Sequence, residues 1–167
     1  EMKNNFDLWM ETNYTDIAGL ELQYNGVERK IVAEKYLTIS GMEDIPDYKF
    51  FVFDGDVKLI QTDFERRKNH KQVLYTSDWE YLPYSLLCKT DPTSIIPKPS
   101  CLEKMIEIVK VLAEGFRHVR VDLYLVDEKI YFGEMTFAHL NGIGNYSPEE
   151  FGYVMGEWIT LPSGDKI

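Results

Sequence analysis

Apolar and polar positions along this chain change their period several times, and each change marks an element. Residues 3–13 place Phe6, Trp9 and Met10 at helical spacing and predict a short helix. A polar stretch with Gly19 and an Asn25-Gly26 turn follows. Then IVAEKYLTI, 31–39, predicts a buried strand, and Gly41 to Pro46 a loop. YKFFVF and VKLIQTDF flank Asp54-Gly55-Asp56, a strong hairpin signal. Residues 65–98 show no clear period and read as a long ordered loop. SCLEKMIEIVKVLAEG is unambiguous: Ser100 and Glu103 form a capping box, Leu102, Met105, Ile106, Val109 and Leu112 form one stripe, and Gly115 stops the helix. Another hairpin follows, and Ser147-Pro148-Glu149-Glu150 starts a last helix with Pro at the first helical position. Helices and hairpins mix without regular βαβ alternation. The expected fold is α+β, a mainly antiparallel sheet with packed helices, in one domain over residues 1–167.

The second hairpin, HVRVDLYLVDEKIYFGEMTF, poses the chemical question. Val119, Val121, Leu123 and Leu125 share one face; His118, Arg120, Asp122 and Tyr124 share the other. On the return strand, Tyr131, Gly133, Met135 and Phe137 alternate with Ile130, Phe132, Glu134 and Thr136. A two-residue turn sets Asp122 against Gly133 and mixes the faces. A three-residue turn, Asp127-Glu128-Lys129, keeps the first-named sets together as the core face, so this register is expected. It places Asp122 opposite Glu134 and Arg120 opposite Thr136. Facing carboxylates repel by roughly 4 kcal/mol at ~4 Å and an effective dielectric of ~20. A shared proton or a cation relieves that repulsion. Magnesium, commonly held by one or two carboxylates plus substrate phosphates, is one such cation. The plainer alternative is that Arg120 neutralises Asp122 on a wet face.

Composition narrows the partners. The formal net charge of -10 argues against nucleic acid or an anionic membrane on the bulk surface. No apolar run approaches the ~18 residues of a membrane span, and no signal peptide is apparent. Cys88 and Cys101 make no CxxC spacing, which suits a reducing cytoplasm or simply inert thiols. Arg66, Arg67 and His70 are the one basic concentration and suit an anionic ligand, or simply a solvated loop. The opening at Glu1, running straight into a helical pattern, reads as the C-terminal part of a longer chain.

Taken together, the motifs are more specific than any one of them. An R-V-D strand, a short turn and a strand bearing Glu resemble the metal-binding hairpin of ATP-grasp enzymes. Glu34-Lys35-Tyr36-Leu37 resembles the hinge segment that holds adenine in that superfamily. IVAEKYL, PDYKFFVFDG, PKPSCLEKMIEI and VRVDLY with KIYFGEMTF are similar to stretches of the TupA-like branch, from about residue 8 to residue 161. The resemblance implies the C-terminal half of an ATP-grasp fold. Within it Glu34 accepts from the adenine amino group, backbone around Lys35 and Leu37 holds the ring edge, and Tyr36 packs into the core. Lys49 reaches a phosphate or the ribose, or is an exposed strand lysine. Asp122 and Glu134 hold Mg²⁺ against the phosphates of ATP, with Thr136 where the superfamily usually has asparagine. Arg120 steadies an acyl phosphate or a carboxylate; Arg66 and His70 serve the triphosphate or substrate.

The implied activity is an ATP- and Mg-dependent carboxylate–amine ligase of cell-surface polysaccharide synthesis, working on small-molecule acids, amines or sugars. The Gly-rich phosphate loop usual upstream of the hinge has no counterpart before residue 31, so this segment alone is expected to be nearly inactive. Two other readings remain: a non-catalytic nucleotide-binding or interaction module, and a glycosyltransferase. Asp54-Gly55-Asp56 fits the D-x-D string of the latter, but it sits where a hairpin turn needs Asp-Gly.

Overall fold

The computed structural model describes residues 2–13, 15, 21–42, 44–66, 68–86, 88 and 90–161. Glu1, Gly19 and Arg67 therefore lie outside the described residues. Six strands form one antiparallel sheet, so the expected α+β class holds. They are β1 (Asp47–Phe53), β2 (Asp56–Phe64), β3 (Lys71–Tyr75), β4 (Tyr81–Leu82), β5 (His118–Val126) and β6 (Lys129–Thr136), in the order β4-β3-β2-β1-β5-β6. The described helices are α1 (Met2–Glu11), α2 (Leu102–Leu112) and α3 (Glu150–Glu157). Among the described residues, no helix is long and apolar enough to cross a membrane.

Central strands buried on both faces do not alternate, and β1 is buried at all seven positions. One face carries Phe50, Val52, Ile60, Val73, Tyr75, Val121 and Leu123 against Leu102, Met105 and Val109 of α2. The predicted α2 stripe is thus the one that packs. At one end of the other face, Phe51, Phe53, Leu59 and Leu74 meet Phe151 and Met155 of α3. The rest of that face is polar.

Five expectations need correction. Residues 31–39 form no strand: they run across the surface, with Val32 75% and Tyr36 70% exposed, so Tyr36 does not enter the core. Residues 65–98 are not one loop. They contain β3 and β4, whose short runs gave too few repeats to reveal a period. The capping box does not form: helix α2 starts after Cys101, Ser100 Oγ donates to Glu128, and Glu103 pairs with Lys98. The last helix starts at Glu150, while Ser147 exchanges backbone bonds with Ser85.

The fifth correction concerns the β5–β6 hairpin. Its turn has two residues, Asp127 and Glu128, both with positive φ, so Val126 pairs with Lys129 and Tyr124 with Tyr131. A bulge between Val121 and Leu123 then shifts the register, and Arg120 still pairs with Thr136 and Val121 with Met135. The extra residue flips the outer half of β6: Ile130 and Met135 reach the core, while Tyr131 sits across from Tyr124 on the polar side. Sequence reasoning excluded a two-residue turn because it mixed the faces; one bulge restores them. Gly133 sits at this bulge, where an added Cβ would lie 3.0 Å from Asp122 O and 3.0 Å from Tyr124 Cε2.

Candidate functional site

The polar half of the sheet face is built by strand alternation. In β1, Asp47 and Lys49 point the same way because they are two residues apart; in β5, Arg120, Asp122 and Tyr124 do the same. The β1–β5 register sets Asp47 beside Tyr124 and Lys49 beside Asp122. All four charged groups are buried, Asp122 to 2% exposure. Buried charge is tolerated only when paired, and here the pairing is dense. Lys49 Nζ donates to Asp47 Oδ2 and to Asp122 Oδ2, each at 2.5 Å. Arg120 grips Asp122 with a two-pronged fork, Nε to Oδ1 at 2.7 Å and Nη2 to Oδ2 at 2.8 Å. The same Nη2 donates to Glu134 Oε1 at 2.6 Å. Lysine at position 49 is thus not an exposed strand lysine.

Asp122 and Glu134 therefore do converge, and the cation between them is the Arg120 guanidinium. Glu134 is the exposed arm of the group, with its side chain 61% accessible, and Thr136 Oγ1 donates to its Oε1 at 3.2 Å. Two carboxylates and a hydroxyl around one point form a hard-oxygen donor set that fits magnesium by chemistry. A divalent ion there requires Nη2 of Arg120 to leave, because both Asp122 oxygens already accept from Lys49 and Arg120. Among the described residues, no three His, Cys, Asp or Glu side chains converge as metal ligands.

Electrostatics follows from burial and pairing. Burial opposes the charge on Lys49, but Asp122 and Asp47 outweigh it and hold the ammonium above its usual range. Arg120 is likewise raised, with Asp122 overcoming the burial cost. Burial pushes Asp47 up, against the pull of Lys49. Its Oδ1 is buried without a hydrogen-bond partner. Arg120 Nη1 also donates to His139 Nδ1 at 2.8 Å, so the ring proton sits on Nε2, which is buried and unpartnered. Burial, reinforced by the Arg120 charge, lowers His139 to about 4.

A cavity of about 600 Å³ is lined by Glu34, Lys35, Tyr36, Leu37 and Thr38 together with Arg66 and Tyr124. Arg66 links the two parts, since its Nη1 lies 3.2 Å from Asp47 Oδ2. The structure thus brings together Glu34, Lys35, Leu37 and Arg66 around one cavity, and Lys49, Arg120, Asp122, Glu134 and Thr136 in a separate cluster joined to Arg66 through Asp47. His70 is elsewhere: it bonds to Asp63, whose strand β2 lies beyond β1. Sequence reasoning missed Asp47, Tyr124 and His139. The first two follow from alternation with Lys49 and Asp122. His139 follows β6, in a turn where Leu140 and Asn141 have positive φ, and no local pattern announces it. Asp54-Gly55 forms the β1–β2 turn with both φ positive, and Asp54 Oδ2 accepts from Thr160 N, as a turn residue rather than a ligand.

Comparison with protein families gives one match: the model described as TupA-like ATPgrasp covers residues 1–160. No curated protein matches, and no solved structure matches.

Proposed function

Because this chain belongs to the TupA-like ATP-grasp family, we propose that it carries the phosphate-binding side of an ATP-dependent carboxylate–amine ligase. The observation that carries this reading is that Arg66 borders the Glu34–Thr38 cavity and is joined through Asp47 and Asp122 to the buried cations Lys49 and Arg120, in a chain of net charge -10. An acidic protein that gathers its cations beside a cavity is suited to a polyanion.

In this reading Glu34 and the backbone near Lys35 and Leu37 take the base of ATP, and Arg66 faces the phosphates across the cavity. Lys49, held by two carboxylates, is a fixed charge that needs no reorganisation when negative charge develops nearby. Arg120 is the adaptable group. Its fork suits a phosphoryl or carboxylate oxygen as well as it suits Asp122. A phosphate that draws Arg120 away frees Asp122 Oδ1 and Glu134 while Lys49 keeps Asp122 Oδ2, and these oxygens with Thr136 would hold magnesium. When bound, that ion would neutralise phosphate oxygens during transfer. Transfer to a substrate carboxylate gives an acyl phosphate, and an amine then displaces phosphate. Cell-surface polysaccharide synthesis is the proposed setting, with cytoplasmic ATP as donor.

One observation favours a second reading, a non-catalytic nucleotide module: in Glu134-Met135-Thr136 a hydroxyl replaces the usual amide, and Asp122 is fully engaged without any ligand. Calorimetry separates these from each other and from a sugar transferase. ATP with Mg²⁺ is titrated into the full-length protein and into its Asp122→Asn variant, and product formation is followed with carboxylate and amine mixtures. The ligase reading expects ADP release and at least about tenfold weaker binding in the variant, equal to about 1.4 kcal/mol. Equal binding in both proteins removes the site assignment. Binding without ADP release supports the module, and a nucleoside diphosphate released from a nucleotide sugar supports the transferase.

A further inference from the structure

The polar sheet face continues beyond the Arg120 cluster, and there it is built differently. Asp63 on β2 is buried beside Asp47 in the strand register, yet among the described residues its hydrogen-bond donors are two glutamines and a histidine. Its Oδ2 accepts from Gln61 Nε2 at 2.8 Å, and its Oδ1 from Gln72 Nε2 at 3.2 Å and His70 Nε2 at 3.0 Å. Since a carboxylate oxygen accepts, the single ring proton of the imidazole form of His70 sits on Nε2. That leaves the Nδ1 lone pair facing Cys88 Sγ, 3.3 Å away. Gln61 Oε1, beside this group, is a buried acceptor without a partner. The ATP reaction proposed above uses none of these atoms.

We propose that Asp63, His70 and Cys88 form a carboxylate–imidazole–thiol relay that makes Cys88 an acceptor for activated acyl groups. Attack by Sγ on an acyl carbon forms the C–S bond while the thiol proton passes to His70 Nδ1. The C–O bond to the leaving group breaks, and the leaving group departs with the electron pair as phosphate or a phenolate. Asp63 stabilises the imidazolium and fixes its tautomer, as the third member of such a relay does. The product is a thioester on Cys88, open to attack by an amine. Burial pushes the Cys88 thiol up, and the Asp63 charge adds to this, so the sulfur rests as a thiol and depends on its base.

The chain holds its own control. Cys101 is also half-buried and free, and burial likewise raises its thiol, but it lies at the start of α2 with no imidazole bonded to it among the described residues. The test treats the whole chain with p-nitrophenyl acetate, without nucleotide, and follows acetylation of each cysteine by peptide mass mapping. General-base assistance contributes about 100-fold or more, so Cys88 should be acetylated about 100 times faster than Cys101. His70→Gln should bring Cys88 down to within about threefold of Cys101 while leaving Cys101 unchanged, and Asp63→Asn should fall between. Equal rates at the two cysteines, or an unaltered Cys88 rate in His70→Gln, overturns the relay. If Cys101 accelerates in the variant, the fold has loosened and the wild-type ratio decides alone: below about tenfold, the relay fails. Because ATP is absent, failure here is distinct from failure of the ligase reading.

Discussion

On the α2 side of the sheet, Phe50, Ile60, Val73 and Val121 are closed off from water by other carbon atoms. On the other side, Asp47, Lys49, Arg120 and Asp122 are buried almost as deeply, and every one carries an ionisable group. The first face stabilises by area removed from water and tolerates approximate geometry. The second must pair each charge within hydrogen-bond distance, and a buried ion pair often adds no more stability than an apolar pair of the same size. A fold that needed only a second packed face had a cheaper solution at hand, since the same side carries Phe51, Phe53 and Leu59 under α3. The polar half is therefore where a ligand reading belongs.

Substitutions should separate the faces, beginning with the largest effect. Phe50→Ala, at a fully buried position under α2, should lose about 3–5 kcal/mol in denaturant unfolding. Asp122→Ala leaves Lys49 and Arg120 buried with fewer partners and should lose about 3 kcal/mol, with ATP binding lost as well. If it unfolds the protein no more than an exposed substitution does, the claim that this face is a coupled ion network is wrong.

Next comes pH. His139 sits at about 4 in the fold against 6.5 in the free state, chiefly through burial. Between those values the unfolded chain binds more protons, so stability is complete above pH 6.5 and falls as pH drops towards 4. After a discount for partial exposure, the loss is on the order of 2 kcal/mol. His139→Asn should flatten that part of the stability–pH curve, and an unchanged slope would assign the titration elsewhere. Gly133→Ala crowds the β5–β6 bulge and should cost about 1–2 kcal/mol by thermal melting. Glu134→Gln should cost under about 1 kcal/mol because the side chain is mostly exposed, yet it should weaken ATP·Mg binding.

What was legible in the sequence follows the same division. The α2 stripe and the Asp54-Gly55 hairpin were readable because each is a local rule: a period or a turn residue pair. The convergence of Asp122 with Glu134 was readable from alternation, although the turn length used to reach it was off by one and a bulge made good the difference. Residues 31–39 misled because a β-branched, apolar run was taken to need burial, whereas the chain there stays on the surface and lines the cavity from outside. The partners that decide the chemistry, Lys49 with Asp122 and Arg120 with His139, come from different elements. Only the three-dimensional register brings them together, so no single stretch of sequence could announce them.

The central claim is that Arg120 is held by Asp122 and Glu134 until an anion competes for it. The most direct test is the nitrogen-15 resonance of Arg120 Nε, followed as ATP and Mg²⁺ are added, with Arg117, which donates to Thr160 O on the surface, as reference. The account predicts that the Arg120 signal shifts in proportion to ATP bound while the Arg117 signal stays in place. An Arg120 signal that does not move at saturating ATP, or one that moves only together with Arg117, contradicts it.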